Sequence, residues 1–395
     1  MAWAPRGNTA EDLLQEGWEA YDEGNLEEAL KLWDDALKLD PELADAWYSR
    51  GHALGKVGRG PEAIEAFDRA IEIEPAMAGS WLFKGIVLKQ LGKRDEALKC
   101  FDRVVELDID NAEGWSGRGS VLGELGKLKE SLESLATALT LNPRDARAWY
   151  NKGVSLLMDG KSDESLESFE KALEIQPELE PAWVSKGILL WNMKKREEAL
   201  KSLERALELD PKDHKAWFAK GKALAEMERL EESLPCYEKA VELKPDFAQA
   251  WYNRGVVLWE LGKAEEAMVS FDRSIELNPG DAAAWYNKGL ALARAGKQDK
   301  ALESFDRALE IDPKDSDSWY SKGVALLELK KAEDAIVSFD KALELNPDYA
   351  DAHFNRGVAL EHLGNKKEAL KCYERVLELK PSDPSAEEAM SRLRK

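Results

Sequence analysis

The chain has 395 residues, of which 44% are hydrophobic and 34% are charged, and its formal net charge at pH 7 is minus 21. Its lysines and arginines are scattered among acidic residues in runs of at most three, so a surface of this composition would repel nucleic-acid phosphates and the headgroups of anionic membranes. The composition therefore argues against nucleic acid and membrane as partners, and it suits amphipathic helices that each bury one apolar stripe.

At the N-terminus, residues 1–9 contain Pro and Gly without helical periodicity, and we expect them to form a flexible leader. They lack the apolar core of a signal peptide, and no stretch of the chain approaches the roughly 20 apolar residues that span a bilayer. Three cysteines, Cys100, Cys236 and Cys372, are spaced 136 residues apart. In a linear array such residues cannot meet, so we expect free thiols and a cytoplasmic protein.

From Ala10 onward one pattern recurs every 34 residues, and eleven copies without insertion or deletion run from residue 10 to residue 383. We call them repeats 1 to 11 and number the positions within each repeat from 1 to 34. Position 8 is Gly in all eleven repeats, position 4 is Trp in nine, and position 32 is Pro in ten. Position 20 is Ala or Ser throughout, and position 24 is large and apolar. We expect the small residues of positions 8 and 20 to let the two helices of a repeat approach closely, with the Trp of position 4 and the residue of position 24 buried beside them. A period of this length indicates an array of similar supersecondary units that stack on one another.

Each repeat contains two apolar patterns of helical period, for example over residues 146–159 and 162–175 of repeat 5. Position 15 lies between them and is Gly in eight repeats, as expected for the left-handed residue that ends a helix. Proline at position 32 follows the second helix, which it cannot continue. Beyond the repeats, residues 384–395 are expected to form a capping helix with Ala389, Met390 and Leu393 facing inward.

This pattern resembles the tetratricopeptide repeat, in which Trp, Gly, Ala, an aromatic residue and Pro stand at these positions. Runs such as Trp251-Tyr252-Asn253-Arg254-Gly255 carry the resemblance, which covers 374 of 395 residues, from 10 to 383. It implies an all-α fold, a right-handed superhelical α-solenoid of helix-turn-helix units. It also implies a protein-protein interaction scaffold, not an enzyme.

The resemblance further implies that positions 2, 5, 6, 9, 12 and 13 line a concave groove that binds a partner peptide or helix. In repeats 5 to 10 these positions carry aromatic, apolar and Asn side chains that would form a continuous strip, and two further candidates lie in repeat 11. The candidate partner-binding residues are Tyr150, Asn151, Val154, Leu157, Val184, Ile188, Trp191, Phe218, Tyr252, Asn253, Val256, Trp259, Tyr286, Asn287, Leu290, Tyr320, Val324, Leu327, Phe354 and Asn355.

The nature of this strip leaves alternatives open. Its Val and Leu side chains could pack against neighbouring first helices, whereas Trp191 and Trp259 are additional to the tryptophans of the repeat pattern. The Asn column is similar to part of the asparagine ladder of O-GlcNAc transferases and could clamp a peptide backbone, or it could simply be solvated. The acidic surface favours an apolar partner segment with cationic flanks.

Two departures from the family pattern bear on the surface of the array. Position 7 is Lys or Arg in repeats 2 to 11, and acidic residues at positions 25 and 29 are expected to pair with it. Repeat 4 has small groove residues, Ser116, Gly117, Ser120 and Gly123. They indicate either a place where a partner backbone approaches closely or a neutral variation.

The sequence predicts no catalysis, no cofactor and no metal. The four histidines are spread over repeats 2, 7 and 11, and no Cys or acidic cluster completes a ligand set around them. The alternative to a partner-binding scaffold is a structural protein whose arrays pack on one another, so self-association stays open.

Overall fold

The computed structural model describes residues 9–394, and all secondary-structure elements assigned in this range are helices. The leader expected at residues 1–9 therefore lies outside the described residues except for Thr9, which caps the first helix by accepting a hydrogen bond from the Asp12 N–H. Each repeat forms a first helix of 13 residues and a second helix of 14 residues.

The helices of the described residues are numbered in chain order. They are α1 Ala10–Asp22, α2 Leu26–Leu39, α3 Ala44–Lys56, α4 Gly60–Ile73, α5 Ala78–Gln90, α6 Arg94–Leu107, α7 Ala112–Glu124, α8 Leu128–Leu141, α9 Ala146–Met158, α10 Ser162–Ile175, α11 Glu180–Asn192, α12 Arg196–Leu209, α13 His214–Glu226, α14 Leu230–Leu243, α15 Ala248–Glu260, α16 Ala264–Leu277, α17 Ala282–Arg294, α18 Gln298–Ile311, α19 Ser316–Glu328, α20 Ala332–Leu345, α21 Ala350–His362, α22 Lys366–Leu379 and α23 Pro384–Arg394.

The first helices end where the sequence predicts. The residue at position 15 has a positive φ in every repeat, including Lys194, Glu228 and Lys330, which replace the Gly of the other eight. These three residues adopt a conformation that costs a non-Gly residue about 1–2 kcal/mol. Several first helices also begin with a side-chain cap at position 34 of the preceding repeat, as where Asp145 accepts from the Ala148 N–H.

The core of each repeat is built on position 8 and position 24. A Cβ added to Gly153 would lie 2.6 Å from the ring of Phe169, and one added to Gly255 would lie 2.6 Å from the ring of Phe271. Both rings are fully buried. Glycine at position 8 of these two repeats therefore allows a helix approach at which any Cβ would overlap the ring.

The tryptophans at position 4 occupy a different place from the one the sequence suggests. They are only partly buried, and each closes the loop before its own helix by donating its indole N–H to the carbonyl of position 32. Trp149 donates to Pro143 at 3.0 Å, and in repeat 4 Trp115 donates to Ile109 at 2.8 Å. The fully buried aromatic residues are those of position 24.

The cations of position 7 pair with acids of the preceding repeat. Arg356 lies 2.6 Å from Asp340 at position 25, and the same pairing recurs along both parts of the chain. The expectation for position 29 was wrong, because Glu310 pairs with Arg307 on its own helix instead. Repeat 4 carries Ala136 instead of an acid at position 25, and the ammonium group of Lys152 lies over the Trp149 ring at 4.9 Å.

The described chain divides into two compact halves, with the boundary between Leu209 and Asp210. We call them the N-terminal half and the C-terminal half. Within each half, each first helix contacts the second helix of its repeat and also the next first helix, as α7 contacts α9 and α15 contacts α17. In the described residues, successive second helices make no comparable contact. The first helices of each half therefore form its inner face.

Three further features complete the fold. Helix α23 buries Ala386, Ala389 and Met390 against repeat 11. The three cysteines are buried and form no disulfide, and burial raises the pKa of Cys100 to about 11. Between residues 9 and 394, no helix combines the length and the apolar character that crossing a bilayer requires.

Candidate functional site

In the C-terminal half, the position 5 aromatic residues lie on the inner face and cover the core ring of their own repeat. The ring centroids of Tyr252 and Phe271 are 6.2 Å apart, and those of Phe354 and Tyr373 are 5.4 Å apart. All five position 5 rings in this half remain partly exposed. Each ring therefore packs on the core and keeps part of its surface exposed, although Phe247 and Tyr349 also lie against Phe218 and Tyr320, each 4.9 Å away. The five are Phe218, Tyr252, Tyr286, Tyr320 and Phe354.

The position 6 asparagines link successive repeats of this half. The side-chain amide of Asn287 donates to the Tyr252 hydroxyl at 3.1 Å, and that of Asn355 donates to the Tyr320 hydroxyl at 2.9 Å. Asn253 donates instead to the Gln249 carbonyl of its own helix. These amide donors are thus engaged within the chain, while their carbonyl oxygens can still accept a hydrogen bond.

Burial raises the pKa of the Tyr252, Tyr286 and Tyr320 hydroxyls. These hydroxyls therefore stay protonated at neutral pH, and Tyr252 and Tyr320 can accept from asparagine while donating outward. The arrangement offers polar tips on apolar rings, which suits contact with a segment that has both apolar side chains and a polar backbone.

Positions 9 and 12 of the C-terminal half add apolar surface between the rings. Val256, Leu290, Val324 and Leu327 are partly exposed and also pack against the core clusters of their repeats. Trp259 is partly exposed, and the Arg294 guanidinium lies 4.9 Å from its ring centroid. Packing against neighbours, the alternative left open by the sequence, thus accounts for part of each side chain but not for all of it.

The N-terminal half carries the rest of the candidate residues. Tyr150, whose ring lies 5.9 Å from Phe169, is partly exposed, as are Asn151, Val154 and Leu157. In repeat 6 Ile188 is 40% exposed.

The other two candidates of repeat 6 differ from each other. The Arg196 guanidinium lies 5.8 Å from the partly exposed Trp191 ring. Val184 was expected to line the groove, but it is only 9% exposed. Its side chain therefore offers a partner almost no surface.

An aromatic cluster on the inner face of repeats 1 to 3 was missed by the sequence reasoning. His52 lies 4.5 Å from the Phe83 ring centroid and 5.5 Å from that of Tyr21. Trp18 contacts Tyr21 at 5.3 Å. These residues occupy positions 6, 9 and 12 of their repeats, which the resemblance assigns to the groove. The candidate strip was defined by aliphatic residues at position 9, and it therefore left out the aromatic Trp18 and His52 at that position.

The electrostatics of this cluster centre on His52. Burial, reinforced by the nearby charge of Lys56, lowers the pKa of His52. Among the residues that the structure describes, its Nδ1 has no hydrogen-bond partner. The Lys56 ammonium lies 4.6 Å from the Tyr21 ring centroid, so a cation covers part of this aromatic surface.

Within the part of the chain that the structure describes, no group of three or more His, Cys, Asp or Glu side chains is placed to hold a metal ion. The candidate site is a surface of aromatic, aliphatic and amide groups on the first helices.

Sequence profiles of known families match most of the chain. Profiles described as tetratricopeptide repeat match residues 44–77, 78–111, 117–180, 184–234, 248–281, 282–315 and 320–384. A profile described as TPR repeat matches residues 17–58 and 221–262. The chain belongs to the tetratricopeptide repeat family. This membership and the tandem helix pairs confirm the family and the all-α fold predicted from the sequence.

Among solved structures, this tetratricopeptide repeat chain is similar to YrrB, described as a TPR protein with an unusual peptide-binding site. The identity is 24%, the match covers 49% of this chain and 99% of that one, and the TM-score is 0.45. The APC/C hetero-tetramer Cut9-Hcn1 matches at 14% identity over 98% and 97% of the two chains, with a TM-score of 0.48. The MamA structure matches at 24% identity over 42% and 96%, with a TM-score of 0.40. No curated protein sequence matches significantly.

Proposed function

We propose that the chain is a protein-protein interaction scaffold that binds a partner segment on the inner faces of its repeats. One observation carries the proposal. Aromatic and aliphatic side chains at positions 5, 9 and 12 stay partly exposed on the first helices, although each repeat already buries its core through position 24. Apolar surface that the fold itself does not need usually serves an interaction.

The chemistry of the inner face defines the class of partner. Rings with one free side, such as Tyr150 and Tyr286, and the indoles of Trp191 and Trp259 suit the apolar side chains of an amphipathic helix or an extended peptide. The net charge of minus 21 favours cationic residues on either side of those apolar anchors. The role is binding without catalysis, and the buried free thiols are compatible with the reducing cytoplasm.

The test begins with a partner selected without prior assumptions. A library of random peptides displayed on phage would be selected on the immobilised protein, and the dissociation constants of the enriched peptides would be measured by calorimetry. Trp191→Ala and Trp259→Ala, made separately and together, probe the inner face of the N-terminal and the C-terminal half respectively. We expect at least one of them to weaken binding roughly thirtyfold, the effect of losing a hot-spot contact of about 2 kcal/mol.

The matched control changes exposed apolar residues on the second helices. Val269 and Val337 are 63% and 59% exposed on α16 and α20, and Val269→Ser with Val337→Ser should leave binding unchanged. Circular dichroism would establish that all variants keep their helix content. Equal affinity for both Trp variants and the wild type would refute the inner-face proposal.

Self-association is a second candidate, and the same two valines favour it. They occupy position 22 of repeats 8 and 10, where most repeats carry a charge, and they form apolar spots on the surface opposite the inner face. Light scattering across the micromolar range would test it. A concentration-dependent mass that is lost in the Val269→Ser/Val337→Ser variant would support assembly, and a constant monomer mass would exclude it.

A further inference from the structure

A cavity of about 500 Å³ opens on the inner face of the N-terminal half, between α5, α7 and α9. Its volume lies within the roughly 300–1,000 Å³ of typical ligand pockets. The cavity exists because α7 carries Ser116, Gly117 and Ser120 at positions 5, 6 and 9, where repeat 5 carries Tyr150 and other larger residues. The missing side-chain volume is what a partner could supply.

The floor of the cavity includes Phe101, the position 24 ring of repeat 3. Nine repeats have an aromatic residue at position 24, and in eight of them another aromatic ring lies against it. Phe101 is the exception, since the described residues place no aromatic ring in contact with it.

The neighbouring repeat shows how such a ring is normally covered. Phe67 of repeat 2 is met by Tyr48 at 6.3 Å and by Phe83, at position 6 of the next repeat, at 6.5 Å. At Phe101 the equivalent position 6 residue is Gly117, where even a Cβ would lie 2.4 Å from the ring. The α7 backbone thus covers Phe101, which is only 1% exposed at the bottom of the cavity, and the open space above it is that of the larger side chains missing at positions 5, 6 and 9 of repeat 4.

The rim of the cavity is polar and rich in amides. The side chains of Gln90, Asn142 and Asn151 border it together with the hydroxyls of α7, and the charged side chains of Glu113, Asp145 and Arg147 also line it. Lys89 donates to the Ser120 hydroxyl and lies 3.6 Å from Glu124. Amide groups can both donate to and accept from a peptide backbone, so the rim can hold a main chain above an apolar floor.

We propose that this cavity receives one aromatic side chain of a partner segment, with the flanking backbone held by the amides of the rim. This inference rests on the proposed function and adds a specificity pocket to it. An aromatic ring is favoured over an aliphatic chain because the space lies at position 5, where seven of the other ten repeats carry an aromatic ring, as repeat 5 does with Tyr150.

Short capped peptides test the pocket on the full-length protein. Saturation-transfer NMR would compare acetyl-Ala-Phe-Ala-amide with the same peptide carrying Leu or Lys in place of Phe. The Ser116→Tyr/Ser120→Val variant fills the cavity with the residues that repeat 5 has at these positions, Tyr150 and Val154. We expect the wild type to bind the Phe peptide more tightly than the Leu and Lys peptides. The filled variant should bind the Phe peptide about tenfold more weakly than the wild type does.

Thr140→Glu is the matched control. It restores the residue that most repeats carry at position 29, on the exposed face of α8, and should leave peptide binding unchanged. If the double variant does not fold, Ser120→Val alone narrows the cavity and decides the question. No binding of the Phe peptide, equal binding of the Leu or Lys peptide, or equal binding by the filled variant would each overturn the pocket.

Failure of the pocket is distinguishable from failure of the proposed function. Peptides selected on the whole protein report the inner face through Trp191→Ala and Trp259→Ala. They can lose affinity in those variants whether or not the short Phe peptide binds. Conversely, the pocket is supported if the Phe peptide binds the wild type and Ser116→Tyr/Ser120→Val abolishes that binding. This result does not depend on any effect of Trp191→Ala or Trp259→Ala.

Discussion

The inner faces of the two halves differ although their helices are alike. In the C-terminal half the aromatic residues of position 5 and the asparagines of position 6 form a regular series, with Asn287 and Asn355 bonded to tyrosines of the preceding repeats. The N-terminal half is irregular, with an aromatic cluster around His52, a cavity beside Gly117 and a buried Val184. The helix lengths are nevertheless the same in both halves. The repeat scaffold and its surface chemistry therefore vary independently.

The inner faces can differ while the helices stay alike because the core and the inner face are built from different positions of the repeat. Positions 8, 15 and 24 fix the helix ends and the helix packing, and they are nearly uniform along the chain. Positions 5, 6, 9 and 12 project from the inner side of the first helices and are free of that constraint. We therefore expect specificity for partners to reside in the irregular positions and stability in the uniform ones.

The largest effects should come from the uniform core. Phe169→Ala in the N-terminal half and Phe305→Ala in the C-terminal half each remove a fully buried ring that lies against a position 8 glycine. We expect each to lower the free energy of unfolding by about 3–5 kcal/mol. Urea denaturation followed by circular dichroism would measure it. If only one of the two variants lowered the free energy of unfolding, the view that both halves share one scaffold would be contradicted.

A smaller loss is expected at the cavity. In Gly117→Ala the new Cβ would lie 2.4 Å from the Phe101 ring, and such overpacking typically costs about 1–3 kcal/mol. Ser116→Ala, one position earlier on α7, is the control and should change the free energy of unfolding little. Equal stability of the two variants in urea denaturation would show that Gly117 does not support Phe101 closely.

Removing a single hydrogen bond between an asparagine and a tyrosine should weaken the contact between successive repeats of the C-terminal half. Asn355→Ala removes the 2.9 Å bond to the Tyr320 hydroxyl and should cost about 0.5–1.5 kcal/mol. Asn253→Ala removes only a bond to the carbonyl of its own helix and is the matched control. If thermal and urea denaturation show the same loss for both, the bonds between repeats contribute no stability of their own.

The smallest change is expected to be a gain. Lys194 and Lys330 have φ angles of 65° and 59° at position 15, one in each half. Replacing either by Gly relieves the strain of a left-handed backbone at the expense of a more flexible unfolded chain, so we expect a net gain of about 0.5–1 kcal/mol. Gly262→Ala, at φ 77°, provides the reverse test and should destabilise. A loss of stability in Lys330→Gly would refute the strain argument.

Much of the fold could be predicted from the sequence because the regular spacing of Gly, Pro and apolar residues is enough to identify the repeat and its two helices. The Gly and Pro positions mark the helix ends, and the position 7 cations form the predicted ion pairs with acids of position 25, as Arg356 does with Asp340. Periodicity does not say which of two apolar residues lies deeper. Trp149 therefore looked like a core residue, although its indole closes a loop and Phe169 fills the core.

The candidate site was less accessible to the sequence because it depends on contacts between repeats. The bond from Asn287 to Tyr252 joins residues 35 positions apart, and nothing in either residue type requires it. Similarly, the buried Val184 differs from Tyr150 in how far its short side chain projects from the helix. The cavity beside Gly117 was signalled by its small residues, but its floor at Phe101 could not be known before the packing was seen.

The most direct test of the central claim is carbene footprinting by mass spectrometry, with and without a peptide selected on the whole protein. The claim predicts protection of inner-face side chains, at Trp191 or Trp259 and the residues beside them, with no change at Val269 and Val337 on the second helices. Protection of those two valines with no change anywhere on the inner face would contradict it.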